Sequence, residues 1–223
     1  MLHEELLVTP YTDENQDRPL QAIPFLSITA QQRAMQFILE FGTNLQRERL
    51  LFHFPQNDNN PGSNANVLAA LSHYQNEDGG FGHGLEADLR TKQSTVISTT
   101  LGLQILDQVG AMSSDIANRA LEYLGSTYKH GTWQPIHEGA NDAPHAPWWK
   151  FDGERPGFQA NPTAEILKYL ILNRSMPGEI TALMTQAIEH ITEEPLEMHE
   201  LLCFVRLYEC DGLSHDQRIA LRP

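Results

Sequence analysis

Twice in this chain an Ala-Leu helix end runs into a polar turn, and then into glycine with an aromatic residue close behind. The first instance is "ALSHYQNEDGGFG", with Gly79, Gly80 and Phe81; the second is "RALEYLGSTYKHGTW", with Gly131, Thr132 and Trp133. Glycine permits the left-handed backbone that ends a helix. An aromatic placed just after it can fold back over the apolar end of a helix pair. A Gln at the helix end, as at Gln75, can bond the carbonyls that the last turn leaves without partners. Recurrence of such a junction constrains the chain to stacked helix pairs of similar build.

The hydrophobic period agrees. Ala34, Phe37, Ile38, Phe41 and Leu45 mark one face of a helix over 30–48. "HFPQNDNNPGSN" then interrupts it with two prolines and an Asn/Asp/Gly cluster. A second helix is expected over 63–75, and a third over 93–109 from Val96, Ile97, Thr100, Leu101, Leu103 and Ile105. The fourth, 114–128, opens on "SSD" as cap and first turn and continues through Ile116, Ala120, Leu121, Tyr123 and Leu124. A long loop rich in Pro, Gly and Trp covers about 129–160. "NPTAEILKYLIL" starts the fifth helix with Asn161 as N-cap and Pro162 in the first helical position. Ile180, Leu183, Met184, Ala187, Ile188 and Ile191 define a sixth over 179–192, "LEMHELLCFVRLYEC" a seventh over 196–210, and "SHDQRIALRP" begins an eighth.

No alternating strand pattern stands out, so the fold class is all-α. Segments 114–128 and 179–192 carry a polar face, while 93–109 and 196–210 are apolar more nearly all round. That alternation is what two helical layers require. Residues 1–29, with three prolines and a polar "TDENQD", read as an irregular arm that packs through Ile23, Phe25, Leu26 and Ile28. Residues 30–223 are expected to form the helical domain.

Composition narrows the function classes. With 29 Asp+Glu against 15 Lys+Arg the formal charge is −14, which repels phosphate backbones and argues against nucleic-acid binding. The same balance weighs against gripping a diphosphate with bare Lys and Arg. No apolar run reaches the roughly 18 residues of a membrane span, and the N-terminus has no basic start with a long apolar stretch behind it. Cys203 and Cys210 lie seven apart in one helical stretch, roughly 10 Å along the axis, too far to bridge. Reduced thiols and a cytoplasmic location are the expectation.

The junctions resemble the Gln-Trp repeat of squalene and oxidosqualene cyclases and the related Gly-Gly-Phe repeat of protein-prenyltransferase β subunits. Arg119, Ala120, Tyr123, Leu124, Gly131 and Trp133 fit the cyclase repeat, although Tyr128 stands where its Gln would be and one residue is missing. Gln75, Asp78, Gly79, Gly80 and Phe81 fit the second half of the other copy. "GGFGHGLEADL" and "PHAPWW" are similar to segments of bacterial members of this superfamily. The resemblance implies an α/α toroid, here a partial ring of helix hairpins whose inner helices surround a cavity. It implies an apolar small-molecule ligand, an isoprenoid, bound or cyclised by acid-initiated chemistry; it names no cofactor. Eight helices are fewer than the roughly twelve of a closed ring, so the resemblance implies that the ring is open, that a homo-oligomer or a partner completes it, or that the chain is incomplete at its C-terminus. The Asp-x-Asp-Asp motif of the squalene-hopene type does not occur, and the zinc set of the prenyltransferases does not map onto Asp211, Cys203, Cys210 or His215.

Two stretches carry candidate chemistry. "GHGLEADL" places His83, Glu86 and Asp88 ahead of the third helix, where Glu86 or Asp88, partly desolvated at a ring opening, would act as the acid. The plainer reading makes both carboxylates caps at the positive helix end and leaves His83 in solvent. "NDAPHAPWWKFDG" gathers Asp142, His145, Trp148, Trp149 and Phe151. Its aromatic faces could wall a cavity and stabilise a cation; as structure alone, the two Trp residues tether a long loop. His83, Asp142, His145, Trp148 and Trp149 are the expected substrate contacts. No metal site is expected, because Cys203, four residues after His199, reads as a small buried hydrophobe. Ser94, Ser98 and Thr99 read as small hydroxyls inside a packed layer. Paired Trp residues and carboxylates would also suit a carbohydrate lyase or hydrolase, for which two carboxylates should face each other across roughly 5–10 Å. A non-catalytic binding module is the third reading.

Overall fold

The computed structural model describes residues 27–55, 62–193 and 195–222. The chain divides at Gly42 into two units. Within the first, Ser27 caps helix α1 (Ile28–Phe41) by accepting from the Ala30 amide at 3.2 Å. Phe37 and Phe41, one turn apart, meet with ring centroids 5.1 Å apart and are both exposed. Ile23, Phe25 and Leu26 of the expected arm lie outside the described residues, and Ile28 already opens α1.

The continuous helix expected over 30–48 is two helices. Gly42 takes an extended backbone, and Thr43 begins α2 (Asn44–His53) with a reciprocal cap. The Thr43 hydroxyl accepts from the Gln46 amide while the Gln46 side chain accepts from the Thr43 amide, at 3.2 and 2.8 Å. A capping box satisfies two orphan donors at once, which outweighs the apolar period running across it.

The second unit continues with α3 (Asn64–Ser72), α4 (Val96–Gln108), α5 (Asp115–Thr127), α6 (Ala160–Asn173), α7 (Pro177–Glu193), α8 (Met198–Tyr208) and α9 (His215–Ala220). Among the described residues there are no strands, only isolated bridges; the protein is all-α. Ser63, Thr95, Ser114 and Ser214 cap α3, α4, α5 and α9. Asn161 is non-helical, so the regular turns of α6 begin at Pro162. α4 starts later than the apolar period suggests because the Thr95 amide bonds the Phe81 carbonyl at 3.0 Å, holding Ser94 and Thr95 against the turn.

α6 packs against α4, α7 and α8, and α4 also packs against α5. α4 and α6 are the most deeply buried; Leu103, Leu106, Ile166, Leu167 and Leu170 are wholly inside. α5 and α7 bury one face each. α8 departs from the all-round burial its composition suggested. Cys203, Phe204 and Leu207 face inward, whereas Met198, Leu201, Leu202 and Val205 are between 42% and 67% exposed. That spacing is one helix face, and it is apolar without a neighbour over it among the described residues.

Phe81 is fully buried, and Gly102 of α4 is what admits it. A Cβ at Gly102 would lie 2.7 Å from the Phe81 ring. Gly102→Ala is therefore expected to cost about 1–3 kcal/mol by overpacking, measured by urea unfolding, although alanine is the better helix former. A neutral or stabilising outcome would show that Phe81 does not sit against α4.

Candidate functional site

The two glycine-aromatic junctions close the helix pairs by the same device. The Phe81 amide donates to the Thr99 hydroxyl of α4 at 2.9 Å, and the Trp133 amide donates to the Thr163 hydroxyl of α6 at 3.4 Å. Trp133 is wholly buried, and its indole N–H donates to the Leu124 carbonyl at 2.7 Å. Gly79 and Gly131 both have positive φ, 89° and 81°. Gln75 bonds forward rather than back, donating to the carbonyls of Gly79 and Ile116 at 2.9 Å each, and so ties the turn to the start of α5. Asp78 accepts from the Gly80 amide and the Ser94 hydroxyl, and Arg119 donates to the Asn76 and Glu77 carbonyls. Ser94, Ser98 and Thr99 are all occupied in this way, as packed hydroxyls rather than free nucleophiles.

The two stretches singled out from sequence meet each other. Leu89 and His145 form an antiparallel bridge, the Arg90 amide bonds the Pro144 carbonyl at 2.9 Å, and the Ala146 amide bonds the Asp88 carbonyl at 2.8 Å. Beneath this pairing Leu89, Ile136 and Ala140 make a small apolar cluster against which Ile97, Trp149 and Phe151 pack. Glu86 and Asp88 do not cap α4, because Thr95 does. Glu86 is half-buried and accepts from the Asp88 amide at 3.3 Å; Asp88 is exposed. His83 bonds the Asn76 side chain at 2.8 Å, His145 bonds the Ala146 carbonyl at 2.9 Å, and Asp142 and Trp148 are exposed. Trp149 is the tether and Trp148 is not.

Two hollows open beside this loop layer. One, of about 190 Å³, is lined by Val96, Tyr123, Gln134, Ile136, Phe151 and Glu154 among others; its neighbour, of about 270 Å³, shares Gln134 and Glu154. Tyr123 and His137 both donate to the Ser94 carbonyl, at 3.0 Å each. Because a carbonyl only accepts, His137 carries its proton on Nε2, and Nδ1 then takes the Gly139 amide at 3.1 Å. Both nitrogens are occupied, so His137 is not a general base in waiting.

The strongest chemical feature was not singled out from sequence. Glu165, 1% exposed, stands where α4, α6 and α8 come together. Tyr169, one turn on, donates its hydroxyl to Oε1 at 2.6 Å. Oε2 takes Gln104 Nε2 of α4 at 3.0 Å and Arg206 Nη1 of α8 at 3.1 Å, with the Cys203 thiol at 3.9 Å. Lys168 and Asp107 pair at 2.6 Å between α6 and α4. Burial raises the Glu165 pKa and outweighs the opposing pull of the Tyr169 hydrogen bond, Arg206, Gln104 and Lys168. Burial first, and the Glu165 charge second, push the Cys203 thiol up to about 12, which leaves it protonated and inert. Arg206 is the solvent-side partner, its side chain 35% exposed. Glu165 lies under the inward side of α8 with Cys203, while the exposed apolar stripe occupies the opposite side of the helix. The signal in the sequence is a lone Glu inside the apolar run "TAEILKYLIL", since acids are almost never fully buried without partners.

Among the described residues no group of three or more His, Cys, Asp or Glu is placed to hold a metal ion, and no helix is long and apolar enough to cross a membrane. Cys203 and Cys210 are both free and buried. No protein-family model, curated protein or solved structure matches the chain.

Proposed function

We propose that this chain is a terpenoid-cyclase-like protein built as a partial ring of helix hairpins, with α4, α6 and α8 as inner helices, and that the exposed apolar side of α8 holds an apolar isoprenoid. Glu165 is the acid of that site. It is proposed beside the Glu86 or Asp88 expected from sequence because burial moves its pKa upward, the direction a proton donor needs. The observation that carries the reading is the exposed apolar stripe of Met198, Leu201, Leu202 and Val205 on a helix whose inward side covers a buried carboxyl with a raised pKa. Support for the ring comes from the matched junctions at Phe81 and Trp133, both buried, and from the packing of α6 between α4 and α8. The two loop hollows are too small for a long isoprenoid, since sites for drug-sized ligands run to roughly 300–1,000 Å³.

Farnesol tests it. At a hundredfold excess over Kd, a ligand specific for the folded state adds about 2.7 kcal/mol, which for a chain of this size raises the melting temperature by about 5–10 °C. Leu202→Glu, on an exposed position, is expected to abolish the shift while leaving the free protein's melting temperature within about 1–2 °C. No shift with farnesol or squalene would overturn the proposal. The same exposed stripe favours one second reading, self-association through α8. It would show as a dimer in light scattering that Leu202→Glu dissociates, with no response to farnesol.

A further inference from the structure

We infer that residues 150–158 are a hinged lid over the 190 Å³ hollow, latched shut by Asn141 and Gln134. Each latch is a side-chain amide that copies a strand pairing. Asn141 donates to the Phe151 carbonyl and accepts from the Phe151 amide, both at 2.8 Å. Gln134 donates to the Arg155 carbonyl at 2.8 Å and accepts from the Arg155 amide at 2.9 Å. Between and beyond the latches, residues 152–157 are all exposed.

The segment is rooted at one end by the Gln159 amide on the Thr132 hydroxyl, 3.0 Å away. Gly153 and Gly157, with φ of 122° and 75°, give the backbone freedom that a swinging strap uses. On its inner side Phe151 and Glu154 face the same hollow as Val96, Tyr123 and Ile136 of the body.

Gln134 has two roles, because it lines the hollow and also holds the lid. A guest that presents an adjacent N–H and C=O, as a peptide-like amide does, competes directly with Arg155 for the Gln134 side chain. Its apolar part would rest on Val96 and Ile136. Entry and opening are therefore one event, and the chemical class expected in the hollow is a small amide-bearing molecule.

If the strap moves as a unit, releasing one latch must loosen the other. Hydrogen–deuterium exchange resolved to single amides reads this. Gln134→Ala is expected to accelerate exchange at the Phe151 amide, and Asn141→Ala at the Arg155 amide, by about tenfold, while the amide of Leu103 in α4 keeps its wild-type rate. A second readout is thiol labelling of Ile136→Cys in the hollow, with the natural thiols buried. Labelling should quicken by a similar factor when either latch is also removed. Acceleration confined to the amide whose own partner was deleted, or matched by Leu103, would overturn the lid, as would a labelling rate that neither latch changes.

Discussion

Trp133→Ala is expected to remove about 3–5 kcal/mol of stability, the range for deleting a wholly buried Trp. A protein whose total margin is about 5–15 kcal/mol would lose about a fifth of it or more from one side chain in a loop. Two side-chain contacts disappear together. The ring packs against Tyr128 with centroids 4.7 Å apart and the indole N–H holds the Leu124 carbonyl, while the backbone amide bond to Thr163 is kept by alanine. The cavity left behind lies between the end of α5 and the start of α6, where neither helix can close over it without breaking the Thr132–Thr163 hydroxyl contact of 3.1 Å. Trp148→Ala is the matched control; at 60% exposed it should stay within about 0.5 kcal/mol. Urea unfolding followed by far-ultraviolet circular dichroism, which does not depend on the deleted fluorophore, makes the comparison. Equal costs for the two residues would mean that the glycine-aromatic junction does not close the helix pair.

Glu165→Ala is expected to cost about 3 kcal/mol, because it strands Tyr169, Gln104 and Arg206 around an empty position in the interior. Glu165→Gln keeps the shape and isolates the charge. The folded-state pKa of Glu165 is raised above its unfolded value by burial, so the folded state binds the proton more tightly. Linkage then gives the sign: the carboxyl's contribution is fully present below the unfolded pKa and is lost as pH rises through the folded one. Wild type should therefore lose stability relative to Glu165→Gln as pH climbs out of the ordinary carboxylate range, and the difference should flatten above the raised pKa. Denaturant midpoints for both proteins from pH 4 to pH 8 measure this. A wild-type advantage that grows with pH would mean that Arg206 dominates and that Glu165 is a structural anion rather than an acid.

What the sequence made legible was mostly local. Glycine followed by an aromatic reads directly as a helix-pair closure, and Phe81 and Trp133 are buried as that reading requires. The cap at Ser114 and the helix periods of α4 to α7 follow from spacing alone. The break at Gly42 was hidden because the apolar period runs through it, and the Thr43–Gln46 box that ends it is two residues of ordinary polarity. The exposed face of α8 was hidden for the opposite reason. Composition shows that a helix is apolar on several sides but not which side finds a neighbour. Glu86, Asp88, His145 and Trp148 drew attention because they are unusual and close together in the chain. Their pairing through Leu89 and His145 is a contact across more than fifty residues, which no local pattern reveals. Glu165 is the converse case, a single acid in an apolar helix whose partners sit on two other helices.

The site is tested most directly by photo-crosslinking with a diazirine analogue of farnesol, followed by peptide mapping. Saturable labelling is expected on residues 198–205 of α8, competed by unlabelled farnesol and lost in Leu202→Glu. Labelling that does not saturate, or that falls on the loop segments around Trp148 and Phe151 instead, would contradict an isoprenoid site on the exposed side of α8.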